Sequence, residues 1–170
     1  MTTRSQDKKN QVILSLSDAR GQIIKATQQL PPDCEDEVFL GTWSIKDLIT
    51  HLVGWDYTNL DAVKNILESK LPAFYEYYDR DWASYNARLI SEYKLDRLID
   101  HITSANASHR KLTDFLETVP AEQFTKDRGL RIRGYKVTII GLMQVEVRDE
   151  MTHCHQIQEF SARKKLHGKT

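Results

Sequence analysis

Trp43-Ser44-Ile45-Lys46-Asp47-Leu48-Ile49-Thr50-His51-Leu52-Val53-Gly54-Trp55 opens a helix and sets the face that it buries. Ser44 with Asp47 three residues on has the form of a capping box, with Asp in place of the usual Glu or Gln. From there Leu48, Ile49, Leu52, Trp55, Val63, Ile66 and Leu67 recur at helical spacing to about Lys70. A face that long and that apolar must be covered by other elements, and the rest of the chain supplies more of the same kind.

Upstream, Val12, Ile13, Leu16, Ile23, Ile24 and Leu30 mark a helix from about Gln6 to Leu30, which Pro31-Pro32 ends because proline cannot continue the hydrogen-bond ladder. Downstream, Leu71-Pro72 breaks the second helix. Phe74 to Tyr85 is the most aromatic part of the chain and reads as an irregular excursion. A third helix is expected from about Trp82 to Thr118, kinked near Lys94, with Leu95, Leu98, Ile99, Ile102, Leu112, Phe115 and Leu116 as its buried stripe. Val119-Pro120 closes it. Gln123 to Lys136 is a polar, basic loop with a short hairpin expected around Gly129 and Gly134, and the last helix runs from about Val137 to Arg163. Strand signals are nearly absent. The pattern predicts one all-α domain over residues 1–170, an antiparallel four-helix bundle with long connections.

Composition limits the function. The chain carries 24 Lys plus Arg against 24 Asp plus Glu, so nothing steers it toward nucleic acid or an anionic membrane surface. Met1 to Asn10 lacks the apolar run of a signal peptide, and no stretch has membrane-spanning length. Cys34 and Cys154 are far apart with no CxxC spacing, which predicts reduced thiols and a cytoplasmic setting. The partner expected is a small molecule, with the chain a monomer or homodimer.

The last helix holds the anomaly. At about 100° per residue, Ile139, Leu142, Met143, Ile157 and Phe160 share a face with Glu146, Asp149, Glu150 and His153. Ionisable groups on a core-facing stripe are costly unless paired, hydrated or bound to metal. Asp149 and His153, at i and i+4, project to one place, as ligand pairs on bundle helices do. An ordinary helix-surface ion pair has the same spacing. His51, between Leu48, Leu52 and Trp55, is the natural third ligand. His51, Asp149 and His153 would hold a divalent metal, zinc or nickel, with a position left open. His101 and His109 lie on a strongly polar helix and are expected to face solvent. His155 points about 200° away from His153. His167 belongs to the tail, and Cys154 is a packing residue.

These two segments resemble the DinB/YfiT-like superfamily of four-helix-bundle proteins. That family opens its second helix with Trp-Ser/Thr-x-x-Asp/Glu-x-x-x-His, matched by Trp43 to His51. Its last long helix carries His-x-x-x-His-x-x-Gln, matched by Asp149, His153 and Gln156, with Asp149 where the family has its first histidine. The run His51 to Trp55, Tyr85-Asn86 and Val119 to Phe124 look most like the ClbS/DfsB branch. The resemblance implies a metal-dependent protein. Some members of that branch protect their producer from a reactive natural product, and other superfamily members use small thiols in transferase or isomerase reactions.

The chemistry expected is attack on a small electrophile by water or a low-molecular-weight thiol activated at the metal. Glu146 or Glu150 would serve as general base or orient a ligand, while Asp47 is expected to cap its helix. Phe74 to Tyr85 reads equally as a pocket wall and as a packing or dimer cluster. Arg128, Arg131, Arg133 and Lys136 read as a solvated loop with an anion site as the alternative. Beside the enzyme stand a bundle that binds a small molecule without turnover and a structural domain with a polar core.

Overall fold

A computed structural model describes residues 2–77 and 81–167. Met1, Tyr78-Asp79-Arg80 of the aromatic stretch, the His167 side chain and the tail after it lie outside the described residues. The expected all-α class holds. The helices are α1 (Thr2–Gln28), α2 (Ile45–Leu67), α3 (Trp82–Tyr93), α4 (Leu98–Thr118), α5 (Ala121–Thr125) and α6 (Ile139–His167), with a 3-10 turn at Ala73–Tyr77. A two-stranded hairpin, β1 (Arg131–Ile132) and β2 (Tyr135–Lys136), completes the regular structure.

Helix α2 starts as its sequence dictates. Ser44 accepts from the Asp47 N–H at 3.2 Å, and the Asp47 carboxylate accepts from the Ser44 N–H at 2.9 Å, closing the capping box. Asp47 is thereby a cap and its pKa lies below the usual value: burial raises it, but the Ser44 backbone and side chain and Lys94 more than reverse this. The hairpin also forms where expected. Arg133 (φ 49°) and Gly134 (φ 82°) make its two-residue turn, the left-handed pair that suits a tight antiparallel connection.

The third helix differs from its prediction. The chain leaves the helix after Tyr93, turns through extended Lys94 (φ −66°, ψ 137°) and restarts at Leu98. No proline or glycine marks the break. It is held from the far side by His101, which is buried rather than solvent-facing: its Nε2 accepts from the Leu95 N–H at 3.2 Å, and its Nδ1 lies 2.8 Å from the Arg97 carbonyl. Those roles fit the ring with its proton on Nδ1. The break gives the two pieces different neighbours, α3 packing on α2 while α4 packs on both α1 and α2. Gly54 permits the α3 contact, since a Cβ there would stand 2.7 Å from the Leu89 Cβ. Helix α5, absent from the prediction, is anchored by the fully buried Phe124.

The long helices run in opposed pairs. Lys9 donates to the Glu117 and Val119 carbonyls at 2.6 and 2.9 Å, while Arg20 donates to that of Ala105, so α1 and α4 are antiparallel. His51 meets His153 and Asn59 meets Glu146, so α2 and α6 are antiparallel as well. The apolar core falls into two parts. One gathers Leu16, Leu60, Val63, Leu112, Leu116 and Met143; the other gathers Ile23, Leu48, Ile49, Leu52, Ile102 and Ile157. Arg20, Asp56, Ser108 and Glu150 fall between these two sets along their helices and are themselves buried.

Candidate functional site

The capping box fixes the register that turns His51 inward. Its ring centroid lies 5.3 Å from that of His153, nearly perpendicular at 83°, and 4.7 Å from that of Trp43. His51 is buried, and its Nδ1 has no hydrogen-bond partner. Burial, then the charges of His153 and Arg20, drive its pKa down to about 3, against a smaller opposing contribution from Asn86. The ring is therefore neutral at physiological pH and keeps a lone pair. His153 is oriented by Gln156, whose Oε1 lies 2.8 Å from Nδ1. An amide oxygen can only accept, so Nδ1 carries a proton, and the neutral form of the ring would offer its Nε2 lone pair to a metal. Asp149 is exposed by area, but its carboxyl is shielded enough that burial raises its pKa despite His153 and Arg148.

These three side chains, from helices about a hundred residues apart in sequence, line one cavity of about 580 Å³. Trp55, Phe74 and Trp82 form an aromatic corner of it, with centroid separations of 5.4, 5.8 and 6.1 Å. The aromatic stretch is thus both pocket wall and packing cluster. Asn86 of α3 accepts from the Trp55 indole at 3.0 Å and holds that wall in place. Ile132, Tyr135 and Lys136 of the hairpin form the rim. The basic loop is partly paired from within: Arg131 and Lys136 share Asp127 at 2.8 and 3.1 Å, and Arg128 donates to the uncharged amide of Gln123.

Glu146 and Glu150 stand at the cavity floor in unlike states. Glu146 accepts from Asn59 at 2.8 Å, and burial next to Glu150 and Asp56 pushes its pKa up to about 8. It therefore holds a proton at neutral pH. Both oxygens of Glu150 instead receive the Arg20 guanidinium, at 2.5 and 3.2 Å. The same guanidinium binds both oxygens of Asp56 at 2.9 and 3.0 Å. Ser108 donates to Asp56 at 2.5 Å, and Arg20 to the Ala105 carbonyl at 2.9 Å. Burial would discharge Arg20, but Glu150 and Asp56 outweigh it and hold the guanidinium charged.

Asp56, His109 and Glu150 bring possible ligand atoms within 4.8 Å of one another, a buried group that could hold a metal ion. Arg20 already occupies the space between the two carboxylates, so an ion there would have to displace a guanidinium bonded twice to each. His109 was expected in solvent. It is buried, with both ring nitrogens unpartnered and Nδ1 3.9 Å from Asp56. Sequence reasoning missed this network because the search for charges on apolar faces stopped at α6. Arg20 among Leu16, Ala19, Ile23 and Ile24, and Asp56 among Leu52, Leu60 and Val63, carry the same signal.

No family model matches the chain, and no curated protein matches it. A crystal structure of an uncharacterised protein from Escherichia coli UTI89 is similar to it, with a TM-score of 0.72 over 92% of this chain and 94% of that one. The sequences are 12% identical, a likeness that shows the fold alone. Among the described residues no helix is long and apolar enough to cross a membrane.

Proposed function

We propose that this chain is a metal-dependent enzyme of the DinB/YfiT-like, four-helix-bundle type, most like the ClbS/DfsB branch. It would act on small reactive electrophiles by hydrolysis or thiol transfer, in detoxification or self-protection. One observation carries the reading. Two imidazoles, and a carboxylate with no salt bridge among the described residues, from α2 and α6, face a single aromatic-walled cavity. The unpartnered Nδ1 of buried His51 supports a missing ligand, since leaving such an atom unbonded costs about 1–3 kcal/mol.

His51, Asp149 and His153 would be the ligands, with zinc or nickel suited to their nitrogen and oxygen donors. A bound ion of that kind makes water or a small thiol acidic enough to serve as a nucleophile near neutral pH. The protein's own residues do the rest. Gln156 fixes the His153 ring. Glu146 holds a proton at the floor, where it can pass it to a leaving group. Trp43, Trp55 and Trp82 keep bulk water away from the polar end. Glu150 is spoken for by Arg20 and serves as an anchor. The unpaired thiols of Cys34 and Cys154 support a reducing, cytoplasmic setting.

Metal analysis of untagged protein tests this. About one zinc or nickel per chain is expected, lost in both His51→Ala and His153→Ala. Protein that stays metal-free after incubation with each ion would sink the metalloenzyme reading.

A further inference from the structure

The chain has three tryptophans, and all three line the same cavity. Each is only partly buried, so each leaves indole surface facing the void. Phe74 and Tyr75 add two more rings. Apolar surface gathered around a space of about 580 Å³ recovers its hydration cost when a flat apolar body fills that space. Trp55, Phe74 and Trp82 already stand at mutual tilts of 42 to 77°, which presents faces and edges to a guest ring rather than closing on one another in a stack.

The charges around the void select further. Its carboxyl groups are Glu146, Asp149 and Glu150, and of these Arg20 neutralises Glu150. Lys136 is the cationic Lys or Arg side chain among the described lining residues, and it is paired with Asp127 at 3.1 Å. Without a bound metal, an anion entering here would meet carboxyls and the negative faces of aromatic rings, with Lys136 already engaged by Asp127. We propose that the ligand of this cavity is an uncharged or cationic small molecule carrying a flat aromatic group, which seats against Trp55 and Trp82. This builds on the cavity being the ligand site of the proposed enzyme, and it requires no bound metal.

A matched probe series tests it on the full chain, both treated with EDTA and loaded with zinc: 2-naphthylmethanol, 2-naphthylmethylamine, 2-naphthoate and cyclohexylmethanol. Calorimetry gives the affinities, and the three indole N–H cross-peaks of ¹⁵N-labelled protein report on the site. The naphthyl alcohol and amine should move these peaks and, in the EDTA-treated chain, bind at least about tenfold more tightly than naphthoate or the cyclohexyl alcohol. Trp82→Ala should weaken the naphthyl alcohol by about tenfold. In the EDTA-treated chain, equal binding of the ring and its saturated analogue, a preference for naphthoate, or no naphthyl binding would overturn the proposal. The probe series on the unaltered chain decides even where the variant fails to fold. Naphthyl binding to a protein that takes up no metal would sink the metal reading and leave this one standing. Metal uptake without naphthyl binding would do the reverse.

Discussion

The interior of this protein holds two polar clusters built from the same residue types, and they are finished differently. Around Arg20, the carboxylates of Asp56 and Glu150 have their counter-cation in place, supplied by α1, together with a hydroxyl from Ser108, while His109 beside Asp56 keeps both ring nitrogens unbonded. Around His51 and His153, a neighbouring carboxylate, Asp149, has no salt bridge among the described residues, though the charges of His153 and Arg148 act on it, and one His51 nitrogen is buried unbonded. The first cluster lies between two apolar cores. The second opens on an aromatic cavity. Carboxylates in a helical interior thus mark a candidate site where the fold has withheld the cation that would satisfy them and a cavity opens beside them. Where the partner is present, the same residues brace the structure.

The largest expected effect comes from removing the built-in cation. Arg20→Met leaves Asp56 and Glu150 buried without a counter-charge and should destabilise the protein by about 3–5 kcal/mol in urea unfolding. Adding Asp56→Leu and Glu150→Leu should recover most of that loss, because the penalty belongs to the stranded charges. No recovery in the triple variant would mean that the network shapes the fold beyond balancing charge.

The cavity cluster should show itself through pH. His51 titrates near 3 in the folded protein, below the usual 6.5, so the unfolded chain binds its proton first as the pH falls. Its contribution is complete above about pH 6.5 and drains away toward pH 3, by up to about 1.4 kcal/mol per pH unit. The difference in unfolding free energy between the native chain and His51→Phe, measured at pH 7, 6 and 5, should shrink along that slope. A constant difference would contradict a neutral, desolvated ring.

Glu146 has the opposite sign. Its folded pKa of about 8 lies above the ordinary 4.5, so its stability contribution is complete below about pH 4.5 and is lost as the pH rises through 8. Glu146→Gln keeps an acceptor for Asn59 and removes the charge, and its stability relative to the native chain should rise from pH 5 to pH 8 by up to about 1.4 kcal/mol per pH unit. A pH-independent effect would show that the carboxyl is ionised throughout. The smallest effect belongs to Asp149→Asn, expected within about 0.5 kcal/mol in stability, while metal retention falls. A stability loss on the scale of Arg20→Met would place Asp149 with the structural cluster.

Much of the fold was legible because long amphipathic helices write their period into the chain. The start of α2 was legible to the residue, since Ser44 and Asp47 act within one turn. The break between α3 and α4 was not, because what holds it, His101, comes after it and acts from a buried position that a polar helix does not suggest. His109 was misread for the same reason. That His51, Asp149 and His153 line one cavity could be anticipated from charged residues on a core-facing stripe, although the group whose ligand atoms come within 4.8 Å of one another is Asp56, His109 and Glu150. That Glu150 would be lost to Arg20 could not, since the answer depended on which face of α1 meets α6.

The sequence by itself determined the helical class, the cap of α2, the short hairpin and the inward turn of His51, Glu146 and Glu150. Those follow from local periodicity and from hydrogen bonds spanning a few residues. Tertiary structure alone decided which carboxylate receives the guanidinium, which histidine stays unsatisfied, and that all three tryptophans surround one void. Those outcomes depend on contacts between helices far apart in the chain, and a one-dimensional pattern records that a polar group must be answered without recording by whom.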